Sequence, residues 1–268
     1  MKINDRVVPA AAFTLVEIIF ALAIMAILAL LITVASQRVR KAASMAVSAN
    51  NVRQLAIGAV AYLGDNNQTF WRYRETVTSP EPGVRWWYGF ETQASQMKTA
   101  EGERWFDEKD SPIGPYIPNG TMVDPSFAFT GKPFKPKYRS GYMGFGYNLF
   151  LAGSTGNSAP IWLGAGTPRR FGQLKRPDQI VMFATCAQVN TMQQPASYSN
   201  PMIEEFYAID ESYVTVHGRH NGRAMVAYAT GNVGFLPIDP KTIDPRAPDA
   251  QIGRFAPQGD TKYLVDPD

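Results

Sequence analysis

The apolar and polar positions of this chain fall into unequal parts. Residues 11–37, AAFTLVEIIFALAIMAILALLITVASQ, are apolar almost without interruption, and Glu17 is the one charged residue among them. About twenty uncharged residues separate Glu17 from Arg38, enough for an α-helix to cross a hydrocarbon core of roughly 30 Å. The run therefore predicts a membrane-spanning helix. Beyond Gln37 the pattern turns one-sided. Val39, Ala43, Ala46, Val52, Leu55, Ala59 and Leu63 recur at helical steps or their sums, while Arg40, Lys41, Asn50, Asn51 and Arg53 fall between them. No proline interrupts residues 10–79, and GDNN at 64–67 is the first convincing stop. One helix over 13–64 follows, on the order of 75 Å long, with 13–37 as its transmembrane or assembly segment. A cleaved secretory signal fits poorly, because the small residues of the leader MKINDRVVPAAA precede the apolar run instead of following it.

From residue 65 to 268 the pattern changes to short β-like runs separated by Gly, Pro and aromatics, which predicts a β-rich globular domain. QIVMFAT reads as a buried strand and ESYVTVHG as an alternating one. GRAMVAYATGNVGFLPI reads as two strands joined at Thr230 and Gly231, where Gly231 can supply a positive φ. The long section from Pro112 to Asn148 is dense in turn formers and predicts extended loops between short strands. The tail from Asp239, with five prolines, predicts an extended strap or a loose end. The fold class expected is α+β: a long N-terminal helix packed on a C-terminal antiparallel β-rich domain.

Composition narrows the chemistry. The 268 residues carry a net charge of +3 and no basic block beyond RVRK at 38–41, so a nucleic-acid footprint is not supported. Cys186 is the only cysteine, which excludes an intramolecular disulfide and zinc sites built from several thiolates; in VMFATCAQV it reads as a small buried hydrophobe. His217 and His220 are the whole histidine supply and lack an H-E-x-x-H helix, so a structural histidine at the hairpin outweighs a metal pair. No serine nucleophile elbow, phosphate-binding glycine loop or dinucleotide fingerprint is present.

The segment AAFTLVEIIFALAIMAIL resembles the N-terminus of type IV prepilins and type II secretion pseudopilins: a polar leader, a small residue, Phe, a hydroxyl residue, an aliphatic pair, Glu, then an unbroken apolar helix. The resemblance implies cleavage of the leader (residues 1–12) by a prepilin peptidase between Ala12 and Phe13, with Ala12 where the family usually has Gly, and N-methylation of Phe13. It also implies that Glu17 pairs with the new amine of a neighbouring subunit's Phe13 and sets filament register. A carboxylate at that depth needs a partner, and a terminal amine is one. SANNVRQLAIGAVAYLGDNN with HNGRAMVAYATGNVGFL resembles a bacterial pilin-like group that carries a C-terminal H-x9-D-G signature. His220, Thr230 and Gly231 match it, with Thr in place of Asp, and Ser48 and Asp124 stand where that group tends to carry cysteines.

The function expected is therefore a non-enzymatic structural subunit of a type IV pilus or type II secretion-like filament. Its partners would be homologous subunits, the prepilin peptidase, an inner-membrane assembly platform and the lipid bilayer, with no cofactor and no nucleic acid. Its location would be the inner membrane with the C-terminal domain periplasmic, then the filament. A different class also fits: a membrane-tethered carbohydrate-binding or enzymatic domain with Trp86, Trp87 and Tyr88 as its platform. Phe70, Trp71, Tyr73 and Phe90 belong to the same aromatic cluster, and its burial or exposure separates the two readings.

Overall fold

A computed structural model describes residues 14–98, 100, 102–129, 133–139, 143–154, 165–257 and 263–265. The chain divides into two compact units, Met1–Ala43 and Ser44–Asp268. One helix, α1 (Leu15–Asp65), contributes to both. In the first unit every large apolar side chain from Leu15 to Val34 is at least 44% exposed. Among the described residues this is the one helix long and apolar enough to cross a membrane.

In the second unit α1 buries Ser48, Val52, Leu55, Ala56, Gly58, Ala59 and Leu63. These positions form a single stripe at steps of three and four. Burying Leu55 or Leu63 is worth about 1.5–3 kcal/mol each. Val39, Ala43 and Ala46, expected on that stripe, are exposed instead, and the buried stripe begins only at Ser48. The helix also runs through Gly64 and ends at Asp65, after which Asn67 (φ 53°) and Gln68 (φ 56°) reverse the chain in the left-handed region.

After α1 come β1 (Arg74–Val77), β2 (Gly83–Trp86) and β3 (Gly89–Thr92), an antiparallel three-stranded sheet, and the short α2 (Gln93–Gln96). A 3-10 turn at Glu108–Asp110 precedes the turn-rich section, whose described residues form two more (Gly114–Tyr116 and Pro125–Phe129), then β4 (Phe134–Lys135) and β5 (Phe145–Asn148). There follow β6 (Val181–Thr185), β7 (Gln188–Asn190), β8 (Met202–Glu204), β9 (Ala208–Ile209), β10 (Val216–His217), β11 (Arg223–Tyr228), β12 (Val233–Pro237) and β13 (Ile252–Gly253). The central sheet has the order β12-β11-β6-β5-β9, β4-β8-β7 form a smaller sheet, and β10 pairs with β13. Pairing is antiparallel except for β5 with β9 and β4 with β8.

Strand β6 is buried at all five positions because both faces of the central sheet are covered. Tyr147, Phe183 and Ala227 share one face with the helix stripe, while Ala184 and Val226 pack on the other with Val216, Leu236 and Leu264. The expected strand ESYVTVHG shrinks to Val216–His217. Asp210 Oδ1 accepts from Ser212 N at 2.8 Å and Ser212 Oγ at 2.5 Å, closing a turn where the strand would have begun. The described residues of the proline-rich tail form a strap. Ile252 pairs with His217, and the Tyr263 carbonyl accepts from Val181 N at 2.7 Å.

Candidate assembly segment and the residues around it

At the start of α1 Thr14 and Glu17 bond reciprocally. Thr14 N and Thr14 Oγ1 donate to Glu17 Oε2 at 2.8 and 2.9 Å, and Glu17 N donates to Thr14 Oγ1 at 3.2 Å. Thr-x-x-Glu in this arrangement is a capping box, which satisfies backbone donors that an α-helix otherwise leaves open. The pattern is readable in the sequence, hidden there by the apolar residues around it. Glu17 Oε1 takes part in none of these bonds. Ala12 and Phe13, the expected processing and methylation positions, lie outside the described residues.

The aromatic cluster forms the wall between helix and sheet. Trp71 stacks on Tyr147 with centroids 4.8 Å apart and meets Tyr62 of α1 edge-on at 5.1 Å. Trp87 packs 5.3 Å from Phe183 and donates Nε1 to the Tyr207 carbonyl at 2.7 Å. Phe70, Trp71, Tyr73, Trp87 and Tyr88 are buried, with Trp86 and Phe90 partly so. These rings cannot act as an open stacking platform.

A buried polar network ties α1 to the domain. The Ser48 hydroxyl donates to Asp124 Oδ1 and lies 2.8 Å from Ser126 Oγ, while Asn51 Nδ2 donates to the Val123 carbonyl at 2.8 Å. Asp124 precedes Pro125 and caps the 3-10 turn Pro125–Phe129 by accepting from Ser126 N at 2.9 Å. Its other oxygen faces Arg219 Nη1 at 3.3 Å, both side chains at most 1% exposed. Arg219 Nη2 donates to the carbonyls of Gly144 (3.0 Å) and Cys186 (2.8 Å), and the guanidinium lies 3.9 Å over the Phe127 ring. Ser48 and Asp124, the two positions matched to cysteines by resemblance, are thus in direct contact. Nothing local in the sequence marks Arg219 as the partner of a residue 95 positions earlier.

The residues of the C-terminal signature are not brought together. His220 lies at the open end of the β11–β12 hairpin: its N donates to the Arg223 carbonyl at 3.2 Å, and its ring meets Phe235 edge-on at 5.8 Å. Thr230 and Gly231 form the turn at the other end, a strand length of roughly 20 Å away at about 3.3 Å per residue. Gly231 has φ 89° and donates N to the Tyr228 carbonyl at 2.9 Å; an added Cβ would sit 3.2 Å from Val60 of α1. Thr230 is exposed. His217 is buried beside Phe127, and burial, reinforced by Arg219, holds its pKa well below the usual histidine value, so the ring is neutral. Among the described residues no three His, Cys, Asp or Glu side chains are grouped to hold a metal. Cys186 is fully buried, donates to the Ala208 carbonyl at 3.2 Å, and has its thiol pKa pushed up to about 12 by burial.

No protein-family model, curated protein or solved structure matches the chain.

Proposed function

We propose that the chain is a structural subunit of a type IV pilus or type II secretion-like filament, processed between Ala12 and Phe13 and assembled through its N-terminal helix, without catalysis of its own. The observation that carries this reading is the continuity of α1. A single 51-residue helix begins as an all-round apolar, exposed segment and continues into turns that bury one stripe in a β-rich domain. A helix that only anchored a domain in the membrane would not need to pack a long stripe of its own residues into that domain's core. In the filament, apolar helices exchange lipid for one another, and Glu17 pairs with the Phe13 amine of a neighbouring subunit. The domain is held in the periplasm before assembly and carried on the filament afterwards.

Two variants separate that pairing from the cap. Glu17→Gln keeps the reciprocal hydrogen bonds of the capping box but loses the charge, whereas Thr14→Val weakens the cap and keeps the carboxylate. The proposal expects sheared filaments to lose E17Q and retain T14V. The reverse pattern would reduce Glu17 to a helix cap. Mass spectrometry of the mature protein from native membranes should find methylated Phe13 at the N-terminus, and a retained Met1 would overturn the proposal.

A further inference from the structure

The acidic residues of α1 stand at its two ends, Glu17 in the first turn and Asp65 as the last residue, with none between. The first cations follow the apolar run at once, Arg38, Arg40 and Lys41 in the tetrad RVRK. All three are exposed. No residue three or four positions from any of them is acidic, so the intrahelical ion pair that commonly neutralises a surface cation is missing. Arg38 and Lys41, three apart, are instead neighbours of like charge. Three cations are thus gathered within one turn of the helix without a counter-ion from that helix.

Their depth says where a counter-ion can come from. About twenty uncharged residues lead from Ile18 to Gln37, roughly 30 Å at 1.5 Å per residue, which is the thickness of a hydrocarbon core. When that run spans a bilayer, the tetrad begins at the level of the headgroups. At 3.6 residues per turn Arg38, Arg40 and Lys41 share an arc of about 160°, and the exposed Val39, Ala42 and Ala43 hold the opposite side. The long stems of Arg and Lys can lie along the apolar boundary while their charged ends reach the phosphates. In a zwitterionic lipid an ammonium on the same headgroup competes for the phosphate, whereas an anionic headgroup leaves that charge uncompensated. We infer that Arg38, Arg40 and Lys41 form a one-sided cradle for the headgroup of an anionic phospholipid. The cradle presupposes the membrane-spanning reading of α1 but not filament assembly.

The test reconstitutes the full chain at low density in phosphatidylcholine vesicles containing a trace of spin-labelled phosphatidylglycerol or spin-labelled phosphatidylcholine. Electron paramagnetic resonance then reads the fraction of each label that the protein immobilises, and flotation after a carbonate wash reads insertion separately. Phosphatidylglycerol should be preferred at least about fivefold, the scale of one cation near an anionic surface. The preference should vanish as salt approaches about 1 M, where the Debye length is about 3 Å. R38Q/R40Q/K41Q should still float and keep its melting temperature, because these positions are exposed, yet should immobilise the two labels equally. Wild-type protein that fails to float would overturn the membrane-spanning reading itself. Flotation with equal immobilisation of both labels would overturn the lipid site and leave the cations to carboxylates of another copy. A preference that survives in the folded triple variant would place the selectivity elsewhere and overturn the site as well.

Discussion

Removing Arg219 tests whether the Ser48–Asp124–Arg219 network holds α1 to the β domain. In Arg219→Met the side-chain volume is largely kept, but Asp124 loses its only buried cation among the described residues, at 3.3 Å, and the Gly144 and Cys186 carbonyls lose donors at 3.0 and 2.8 Å. Breaking one side of a buried pair costs about 3–5 kcal/mol, most of it the uncompensated charge left behind. For a unit of this size that corresponds to a fall in melting temperature of about 6–20 °C. Near-ultraviolet circular dichroism of the full chain in detergent during a thermal scan would follow the loss, because the Trp71 and Trp87 cluster lies in the same core. Asp124→Asn should be destabilising alone, and R219M/D124N should cost less than the sum of the two, with a coupling of about 1–3 kcal/mol. If R219M lies within about 1 kcal/mol of the wild type, or the two substitutions simply add, the network is incidental to the packing and the argument fails.

Other positions make independent predictions. Glu205 is buried, with its pKa pushed up to about 7 by desolvation against the opposing bonds from Lys137 N and Tyr207. A raised carboxyl pKa contributes stability that is fully present below the unfolded value near 4.5 and lost as pH rises through about 7. Urea titrations of wild type against Glu205→Gln should therefore diverge by about 3 kcal/mol between pH 4.5 and 8, and a constant difference across that range would refute the assignment. Gly58→Ala should destabilise by about 1–3 kcal/mol although alanine favours helices, because its Cβ would collide with Ile117 Cγ2; a stabilised variant in a denaturant titration would contradict this close approach. Cys186 should resist iodoacetamide in the folded protein and react on unfolding, as its burial and its pKa of about 12 require; rapid alkylation at pH 8 would show the site to be open.

What could be read from sequence was whatever has a local period. Val52, Leu55, Ala59 and Leu63 mark a buried helical stripe because 3.6-residue spacing is written in the chain itself. The hairpin β11–β12 was legible because Gly231 breaks two runs at the point where positive φ is needed. The same period misled at Val39, Ala43 and Ala46: small apolar residues at helical steps mark a face, but not whether anything covers it. Pairings between distant segments left no such trace. Ser48 meets Asp124 across 76 residues, and the carboxylates of Glu204 and Glu205 stand side by side in sequence with opposite fates. Lys137 and its neighbouring donors hold Glu204 below the usual carboxylate range against burial, while burial prevails at Glu205. One polar pattern is local but masked by its surroundings. Thr14-x-x-Glu17 sits in a segment of dominant apolar character, where the carboxylate alone looks like an anomaly awaiting another subunit. Its cap bonds occupy Oε2 within its own helix, so any amine from a neighbour has to meet Oε1 or displace the cap. A subunit that swaps an internal bond for an external one on assembly would gain less from the pairing than a bare charge would. Specifying register would then be the larger contribution of Glu17, with adhesion left to the apolar face.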